Sequence, residues 1–275
     1  HAAPRAGQAT TGSAAPRSAG EAAPQPGGGA APLPAREIAP RPHGRVAGGE
    51  CAVVSGAASG IGRACAAALR ADGLAIAALD LSPAADVDLT LTVDVSDAAA
   101  VEAAVARAEA ELGPVAVAVT AAGYYERAAV GAIGVDAWRR MLAVQLGGTV
   151  NVVRSVYPRM LARGAGSICM IGSELALCGD GDAAHYAAAK GAIHAFTKSL
   201  AVEAAPRGIQ VNCVAPGPTD TPLMTPELRA PEYIDSLVLK RLVAPEEIAA
   251  AVLFVTRGAH NMVGQVVSPN AGAVV

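Results

Sequence analysis

Residues 53–62 read Val-Val-Ser-Gly-Ala-Ala-Ser-Gly-Ile-Gly, and the organisation of the chain can be worked out from this stretch. The apolar run at residues 51–54 predicts a buried strand, and the Ala/Leu-rich segment 63–70 predicts a helix. Three glycines separate the two elements, namely Gly56, Gly60 and Gly62. A strand, a glycine turn and a helix together aim backbone N–H groups at a phosphate, and glycine lets a ligand approach the backbone closely. An ordinary strand-to-helix turn is the competing interpretation.

Asp80 ends a second predicted strand, residues 74–79. An acid about twenty residues beyond such a turn can accept hydrogen bonds from the ribose of an adenosine. Its charge repels a 2′-phosphate, and neither residues 56–60 nor residues 81–87 contain a Lys or Arg to bind one. A solvated turn acid or a helix N-cap is the alternative. The pattern predicts NAD (NADH) as the cofactor rather than NADP.

Composition excludes several other classes of protein. The 275 residues allow one large α/β domain plus a tail, and the net charge of −3 gives no reason to expect a nucleic-acid partner. No apolar run is long enough for a membrane span. The five cysteines have no paired spacing, which indicates neither a disulfide framework nor a metal site and predicts a reducing cytoplasm.

Residues 1–49 differ in kind from the rest of the chain. They are rich in Ala, Pro, Gly and Arg and have almost no large apolar side chains. Such a segment cannot bury enough surface to offset the entropy lost on ordering. The sequence therefore predicts a low-complexity tail, residues 1–49, and one folded domain, residues 50–275.

Beyond Asp80, predicted strands and helices alternate. Further strands are expected at residues 87–93, 115–120, 167–171, 209–214 and 265–267, and helices at 98–112, 136–163, 183–205 and 245–257. Asp97 is well placed as an N-cap, and the long helix 136–163 is expected to bend near Gly147-Gly148. This alternation predicts an α/β fold, a single Rossmann-like, doubly wound parallel sheet with helices on both faces.

Two residues of the helix 183–205 carry a possible chemistry. Tyr186 and Lys190 are four residues apart and therefore share a helix face. A free phenol has a pKa near 10 and is a poor base at neutral pH, but a neighbouring ammonium favours the phenolate. Ser173 ends the preceding strand on the side of the sheet where ligands bind, so its hydroxyl could hold a carbonyl oxygen beside the phenol. Alone, the Tyr–Lys pair is common on solvated helices.

Taken together, Ser55-Gly56-x-x-x-Gly60-x-Gly62, Ser173 and Tyr186-x-x-x-Lys190 resemble the short-chain dehydrogenase/reductase (SDR) family, classical type. The similarity covers residues 50–275, and Lys240-Arg241 with the segment 245–248 resembles the closing part of β-ketoacyl reductase-like members. The resemblance implies a nicotinamide-dependent enzyme that interconverts an alcohol and a ketone. In it Tyr186 would exchange the proton and Ser173 would hold the substrate oxygen, while Lys190 would bind the ribose and lower the pKa of the tyrosine.

The resemblance also implies a set of cofactor-binding residues. Asp94 and Val95 would contact the adenine, and the segment from Pro216 to Thr221 would form the nicotinamide loop. The complete set is Gly56, Ser59, Gly60, Ile61, Gly62, Asp80, Asp94, Val95, Ala122, Gly123, Tyr186, Lys190, Pro216, Gly217, Thr219 and Thr221.

Three departures from the family pattern affect the predictions. The usual Asn-Ala-Gly after the fourth strand is Ala121-Ala122-Gly123, which predicts a small loss of hydrogen bonding in the sheet. The fourth catalytic residue, usually Asn, aligns with Gln145, so the relay to Lys190 is either rebuilt or weakened. Few residues separate Asp80 from the third strand, which predicts a shortened helix and an open adenine pocket.

Two functions therefore stay open: an NAD(H)-dependent dehydrogenase or reductase of a small alcohol or ketone, and a nicotinamide-binding protein with weak or no turnover. Tyr124, Tyr125 and Glu174 are possible pocket residues, with packing or an ordinary loop position as the alternative. His185 and His194 are predicted to be helix-surface or packing residues, although His185 adjoins Tyr186 and could face the substrate. Cys178 is expected to be an apolar filler.

The apolar helices 136–163 and 183–205 predict an interface between subunits, with an apolar surface formed by Ala192, Ala195, Phe196, Leu200 and Val202. The resemblance implies a homotetramer, with a homodimer as the fallback.

Overall fold

The computed structural model describes residues 49–259 and 261–275. The predicted low-complexity tail, residues 1–49, lies outside the described residues except for Gly49. The five cysteines all lie within the described ranges and carry free thiols; four of them are buried.

One parallel sheet of seven strands forms the centre of the described chain, in the order β3-β2-β1-β4-β5-β6-β7. The strands are β1 (Cys51–Ser55), β2 (Ala75–Asp80), β3 (Leu89–Thr92), β4 (Val115–Thr120), β5 (Gly166–Ile171), β6 (Ile209–Val214) and β7 (Val266–Val267). The sequence of β4, VAVAVT, is buried at every position, as expected for a parallel strand covered on both faces.

Eight α-helices lie in the described residues: α1 (Gly60–Ala71), α2 (Ala98–Leu112), α3 (Val135–Leu142), α4 (Gly148–Arg163), α5 (Leu175–Cys178), α6 (Ala184–Ala204), α7 (Pro231–Ser236) and α8 (Pro245–Leu253). Apolar residues of α2, α4 and α6 pack in one core cluster, and those of α1 and α8 pack in a second cluster on the opposite face. The predicted doubly wound α/β fold is confirmed. None of these helices is both long and apolar enough to cross a membrane.

The capping chemistry matches the prediction for α2, since the Asp97 carboxylate accepts hydrogen bonds from the backbone N–H groups of Ala99 and Ala100 at 2.9 and 3.0 Å. The predicted long helix, residues 136–163, is interrupted rather than simply bent at Gly147-Gly148. A π-helical turn, Ala143–Gly147, joins α3 to α4, and such turns often occur at functional sites.

The segment between β2 and β3, residues 81–88, contains no helix at all, whereas its length predicted a shortened helix; eight residues are too few for a helical turn and both of its connections. The short helices α5 and α7 were not predicted, because neither has enough residues to show an apolar period. The predicted helix 245–257 is α8 followed by a second π turn, Phe254–Gly258.

Strand β1 lies between β2 and β4, so the strand order changes direction beside it. In an open α/β sheet, ligands bind beyond the carboxyl ends of the strands at such a switch point. The glycine turn after β1 and the residues after β4 meet here, because Ser55 pairs with Thr120 in register.

Candidate active site

The glycine turn after β1 leaves no room for a Cβ atom at two of its positions. Gly56 has φ +71°, and a Cβ there would lie 2.7 Å from the backbone nitrogen of Ala122. A Cβ at Gly62 would overlap the carbonyl oxygen of Gly56. The turn therefore needs glycine at both positions, and its backbone is open to close approach by a ligand.

The first turn of α1 follows directly. Ser59 is the N-cap, and within the described chain its side chain makes no capping hydrogen bond, while the first turn carries no acid. The orphan N–H groups of a helix N-terminus attract an anion. This cradle fits the pyrophosphate of a dinucleotide.

Asp80 connects the glycine turn to the loop after β2. One carboxylate oxygen accepts a hydrogen bond from the backbone N–H of Ala58 at 3.0 Å, and the other accepts one from Ser82 at 3.0 Å. Leu81, beside it, is 71% exposed, which agrees with the open pocket predicted there. Asp80 lines a cavity in which Arg140 is the only lysine or arginine among the described residues of the lining. Arg140 lies at the end of that cavity formed by Tyr124 and Glu126, to which it donates hydrogen bonds.

Two adjoining cavities, of about 640 and 440 Å³, lie along the carboxyl ends of the strands and share walls at Ile61, Gly123 and Thr221. The structure brings all the residues predicted for the site to these cavities. The first is lined by Gly56, Ser59, Gly60, Ile61, Gly62, Asp80, Asp94, Val95, Ala122, Gly123 and Thr221. The second is lined by Gln145, Ser173, Tyr186, Lys190, Pro216, Gly217 and Thr219.

Tyr186 and Lys190 lie on one face of α6, as predicted. The Lys190 ammonium is 5.6 Å from the centroid of the Tyr186 ring. It is buried and donates a hydrogen bond to the carbonyl oxygen of Ile171 at 2.9 Å. Burial lowers the pKa of Lys190 to about 8, so the group is mostly protonated at neutral pH.

The predicted lowering of the Tyr186 pKa is wrong for the protein alone. Burial raises the pKa of the phenol, Glu174 raises it further, and the hydrogen bond with Ser173 acts in the opposite direction. Desolvation disfavours the charged phenolate, and it is the largest of these contributions. In this state Tyr186 is a protonated phenol, suited to donate a proton.

Gln145 lies in the π turn and is buried. Its Nε2 donates a hydrogen bond to the carbonyl oxygen of Tyr124 at 2.5 Å, whereas its Oε1 has no partner among the described residues. Gly123 lies so close to the amide that a Cβ there would meet Gln145 Oε1. The amide thus braces the loop after β4, and among the described residues it forms no hydrogen bond with Lys190, whose ammonium donates to Ile171 instead.

Comparison with known proteins bears directly on this geometry. A family model of the short-chain dehydrogenases, described as Enoyl-(Acyl carrier protein) reductase, matches residues 56–273. The chain belongs to the short-chain dehydrogenase/reductase family. As an SDR protein it is an oxidoreductase that acts on CH–OH groups, and the predicted family is confirmed.

The SDR relatives differ in what their names say they act on. Cis-4-hydroxycyclohexanecarboxylate dehydrogenase of Sinomonas cyclohexanicum is 35% identical over 80% of this chain and 95% of its own. The 3-oxoacyl-[acyl-carrier-protein] reductase FabG of Thermotoga maritima is 30% identical over 82% and 98%. The solved structure of Thermoplasma acidophilum aldohexose dehydrogenase has a TM-score of 0.77 at 27% identity and covers 82% of this chain and 93% of that one.

The sequence alone offers little indication of the importance of three residues of the second cavity, Tyr125, Glu174 and Asp180. The ring of Tyr125 meets that of Tyr186 edge-on, with centroids 5.0 Å apart, and its hydroxyl donates to the Asp180 carboxylate at 3.0 Å. Glu174 is only 7% exposed, although its place after a strand is typical of a loop acid. The position of Glu174 directly after Ser173 was the one signal in the sequence.

Other candidates turn out to be structural or exposed. His185 and His194 are both buried, so packing is the correct interpretation and a helix-surface position is wrong; His185 meets the Trp138 ring edge-on. Cys178 is exposed and is not the expected apolar filler. Ala121 replaces the Asn that is usual at this position of the family, but the backbone hydrogen bond between β1 and β4 is kept. The Ala121 N–H donates to the carbonyl oxygen of Ser55 at 3.2 Å.

Proposed function

We propose that this SDR protein is an NAD(H)-dependent oxidoreductase that interconverts a secondary alcohol and a ketone, with Tyr186 as the acid and base. The observation that carries the proposal is the convergence of Ser173, Tyr186 and Lys190 on one cavity that adjoins the glycine cradle. The test is an absorbance change of added NAD⁺ or NADH that depends on an alcohol or ketone.

The glycine turn and the start of α1 hold the pyrophosphate, Asp80 accepts from the adenosine ribose, and Lys190 donates to the second ribose. The bound nicotinamide supplies the centre that accepts or gives the hydride. Ser173 donates a hydrogen bond to the substrate oxygen. Tyr186 gives its proton to that oxygen in ketone reduction and takes it back in alcohol oxidation.

Asp80 is the basis for preferring NAD. Replacing Asp80 by Ala removes the ribose acceptor and the charge that repels a 2′-phosphate, so we expect NADH affinity to fall about tenfold and NADPH affinity to rise. Dissociation constants for both cofactors, from fluorescence titration, measure this. Asp136→Ala, which removes an acid exposed on α3, is the matched control and should change neither constant. Tighter binding of NADPH than NADH by the unmodified protein contradicts the choice of NAD.

Gln145 is the reason to keep the alternative function, a nicotinamide-binding protein with weak or no turnover. Its Nε2 donates a hydrogen bond to the carbonyl oxygen of Tyr124 rather than pointing toward Lys190. If the amide serves a relay, Gln145→Ala lowers turnover roughly tenfold while Gln145→Asn keeps or raises it. Steady-state turnover of the three proteins decides. Equal rates show that the position is structural only.

We also propose a homotetramer, with a homodimer as the fallback. On α6, Ala195 and Val202 are exposed and Ala192 and Phe196 are half-buried, whereas Leu200 packs in the core and leaves the predicted surface. Exposed small and apolar residues on a helix suit close approach of a second subunit. Light scattering at micromolar protein measures the mass, and a stable, active monomer contradicts the assembly. The cytoplasmic location stays a prediction.

A further inference from the structure

Glu174 is a buried acid at the catalytic serine. Its Oε2 accepts a hydrogen bond from Ser173 Oγ at 3.0 Å, and its backbone N–H donates to the Pro216 carbonyl oxygen at 3.1 Å. It forms no ion pair with any described residue. A buried carboxyl whose hydrogen-bond partners are all neutral is costly for a fold to keep, so a structural role alone explains it poorly.

The surroundings of Glu174 are acidic. Burial raises the pKa of Glu174 to about 7, and the charge of Asp180 raises it in the same direction. Ser173 is the side chain of the described residues that donates to this carboxyl, and the backbone N–H groups of Glu174 and Leu175 also favour its charged form. The carboxyl belongs to the wall of the cavity that also holds Tyr186, so its remaining acceptor capacity faces the reacting position.

The position of the Glu174 carboxyl determines which group of the substrate can donate a hydrogen bond to it. Under the proposed function, the Ser173 hydroxyl turns its one hydrogen from Glu174 Oε2 to the reacting oxygen of the substrate. The Glu174 carboxyl then lies beside that oxygen and has lost the donor that Ser173 supplied. Oxygens on neighbouring carbons of a diol are about one hydrogen-bond length apart. A hydroxyl on the carbon next to the reacting one would therefore reach Glu174 and donate to it.

The charges of the cavity argue against an anionic substrate. Arg127 is its exposed cation, and it already lies 3.9 Å from the Asp180 carboxylate and 3.5 Å from that of Asp182. Glu227 adds another acid to the lining. A substrate carboxylate or phosphate would meet these acids without an uncommitted arginine to bind it.

We infer that Glu174 is a specificity residue that accepts a hydrogen bond from a second hydroxyl of the substrate, next to the reacting carbon. The substrate is then a neutral polyhydroxy compound. The inference rests on the proposed function, because it uses Ser173 as the anchor of the reacting oxygen.

The test compares two alcohols that differ by one hydroxyl, cis-1,2-cyclohexanediol and cyclohexanol, with NAD⁺ and at a pH above about 7, where the Glu174 carboxyl is ionised. We expect kcat/KM to favour the diol by at least about tenfold, since a hydrogen bond to a charged acceptor discriminates by that much. Glu174→Gln keeps the shape of the side chain and removes its charge, and should reduce the preference to about threefold or less. Glu232→Gln, an exposed acid of α7 outside the cavity, is the matched control and should keep the preference.

Measurements of alcohol binding distinguish a role of Glu174 in substrate specificity from a general effect of the substitution on catalysis. In the Tyr186→Phe protein loaded with NAD⁺, calorimetry should show the same preference for the diol and the same loss in the Glu174→Gln double variant. Equal kcat/KM for the two alcohols, a preference that survives Glu174→Gln, or better turnover of cis-4-hydroxycyclohexanecarboxylate than of the diol each overturns the inference and leaves the proposed function standing. If no alcohol reduces NAD⁺, the proposed function fails, and the inference with it.

Discussion

Replacing Tyr186 by Phe is expected to lower turnover about 10²–10⁴-fold and to leave cofactor affinity nearly unchanged. The ring keeps its edge-on packing against Tyr125, whose centroid is 5.0 Å away, so the cavity keeps its shape. Only the proton that passes between the phenol and the substrate oxygen is lost. Steady-state kinetics and a cofactor titration on the same preparation measure the two effects separately.

Tyr157→Phe is the matched control for this change. The Tyr157 hydroxyl donates to Glu203 on the far part of α6, at 3.1 Å, and it takes no part in either cavity. Its removal should leave turnover within about twofold of the unmodified protein, as is usual for surface changes. Near-full activity of Tyr186→Phe on a substrate that the unmodified protein turns over efficiently would rule out the proposed role of the phenol.

Replacing Gly62 by Ala is expected to weaken NADH binding by at least about 100-fold and to lower the free energy of unfolding by a few kcal/mol. The new methyl group would overlap the carbonyl oxygen of Gly56, which is backbone and cannot turn aside. The turn must open, and the N–H groups that we propose to bind the pyrophosphate then move out of line. Fluorescence titration with NADH and chemical denaturation measure the two losses.

Gly191→Ala adds the same methyl group to α6, at a position where no atom outside the adjacent residues and the nearby backbone of the helix lies within 4 Å of the new Cβ. It should raise stability by about 0.5–1 kcal/mol, because alanine favours the helix interior. Unimpaired NADH binding by Gly62→Ala would mean that the cradle after β1 does not hold the cofactor.

Much of the fold could be predicted from short-range patterns. The apolar runs of β1, β4 and β5 are continuous and bounded by glycine, proline or polar residues, so their position and burial follow from the residues themselves. The spacing of Gly56, Gly60 and Gly62 likewise specifies a turn whose geometry is local. These features needed no knowledge of distant parts of the chain.

The rest of the site depends on contacts between distant segments. The burial of Glu174 results from the walls built by residues after β4 and β6, and the pairing of Tyr125 with Asp180 joins two loops far apart in sequence. The π turn that holds Gln145 reads as ordinary helix in the sequence. The pKa of Tyr186 was mispredicted for the same reason, because desolvation depends on the whole cavity.

The placement of β1 between β2 and β4 has a consequence for how the protein is made. When the ribosome has released only the first three strands, β1 lacks the neighbour on its other side and presents a bare apolar edge, which is prone to aggregation. Gly56 of the glycine turn donates its N–H to the Leu79 carbonyl oxygen of β2 and lies against Ala121 and Ala122 beyond β4, so the turn has all its neighbours only after β4 has paired. Under the proposed function we therefore expect the dinucleotide to bind late in folding and to give little rescue to a nascent chain that ends before β4.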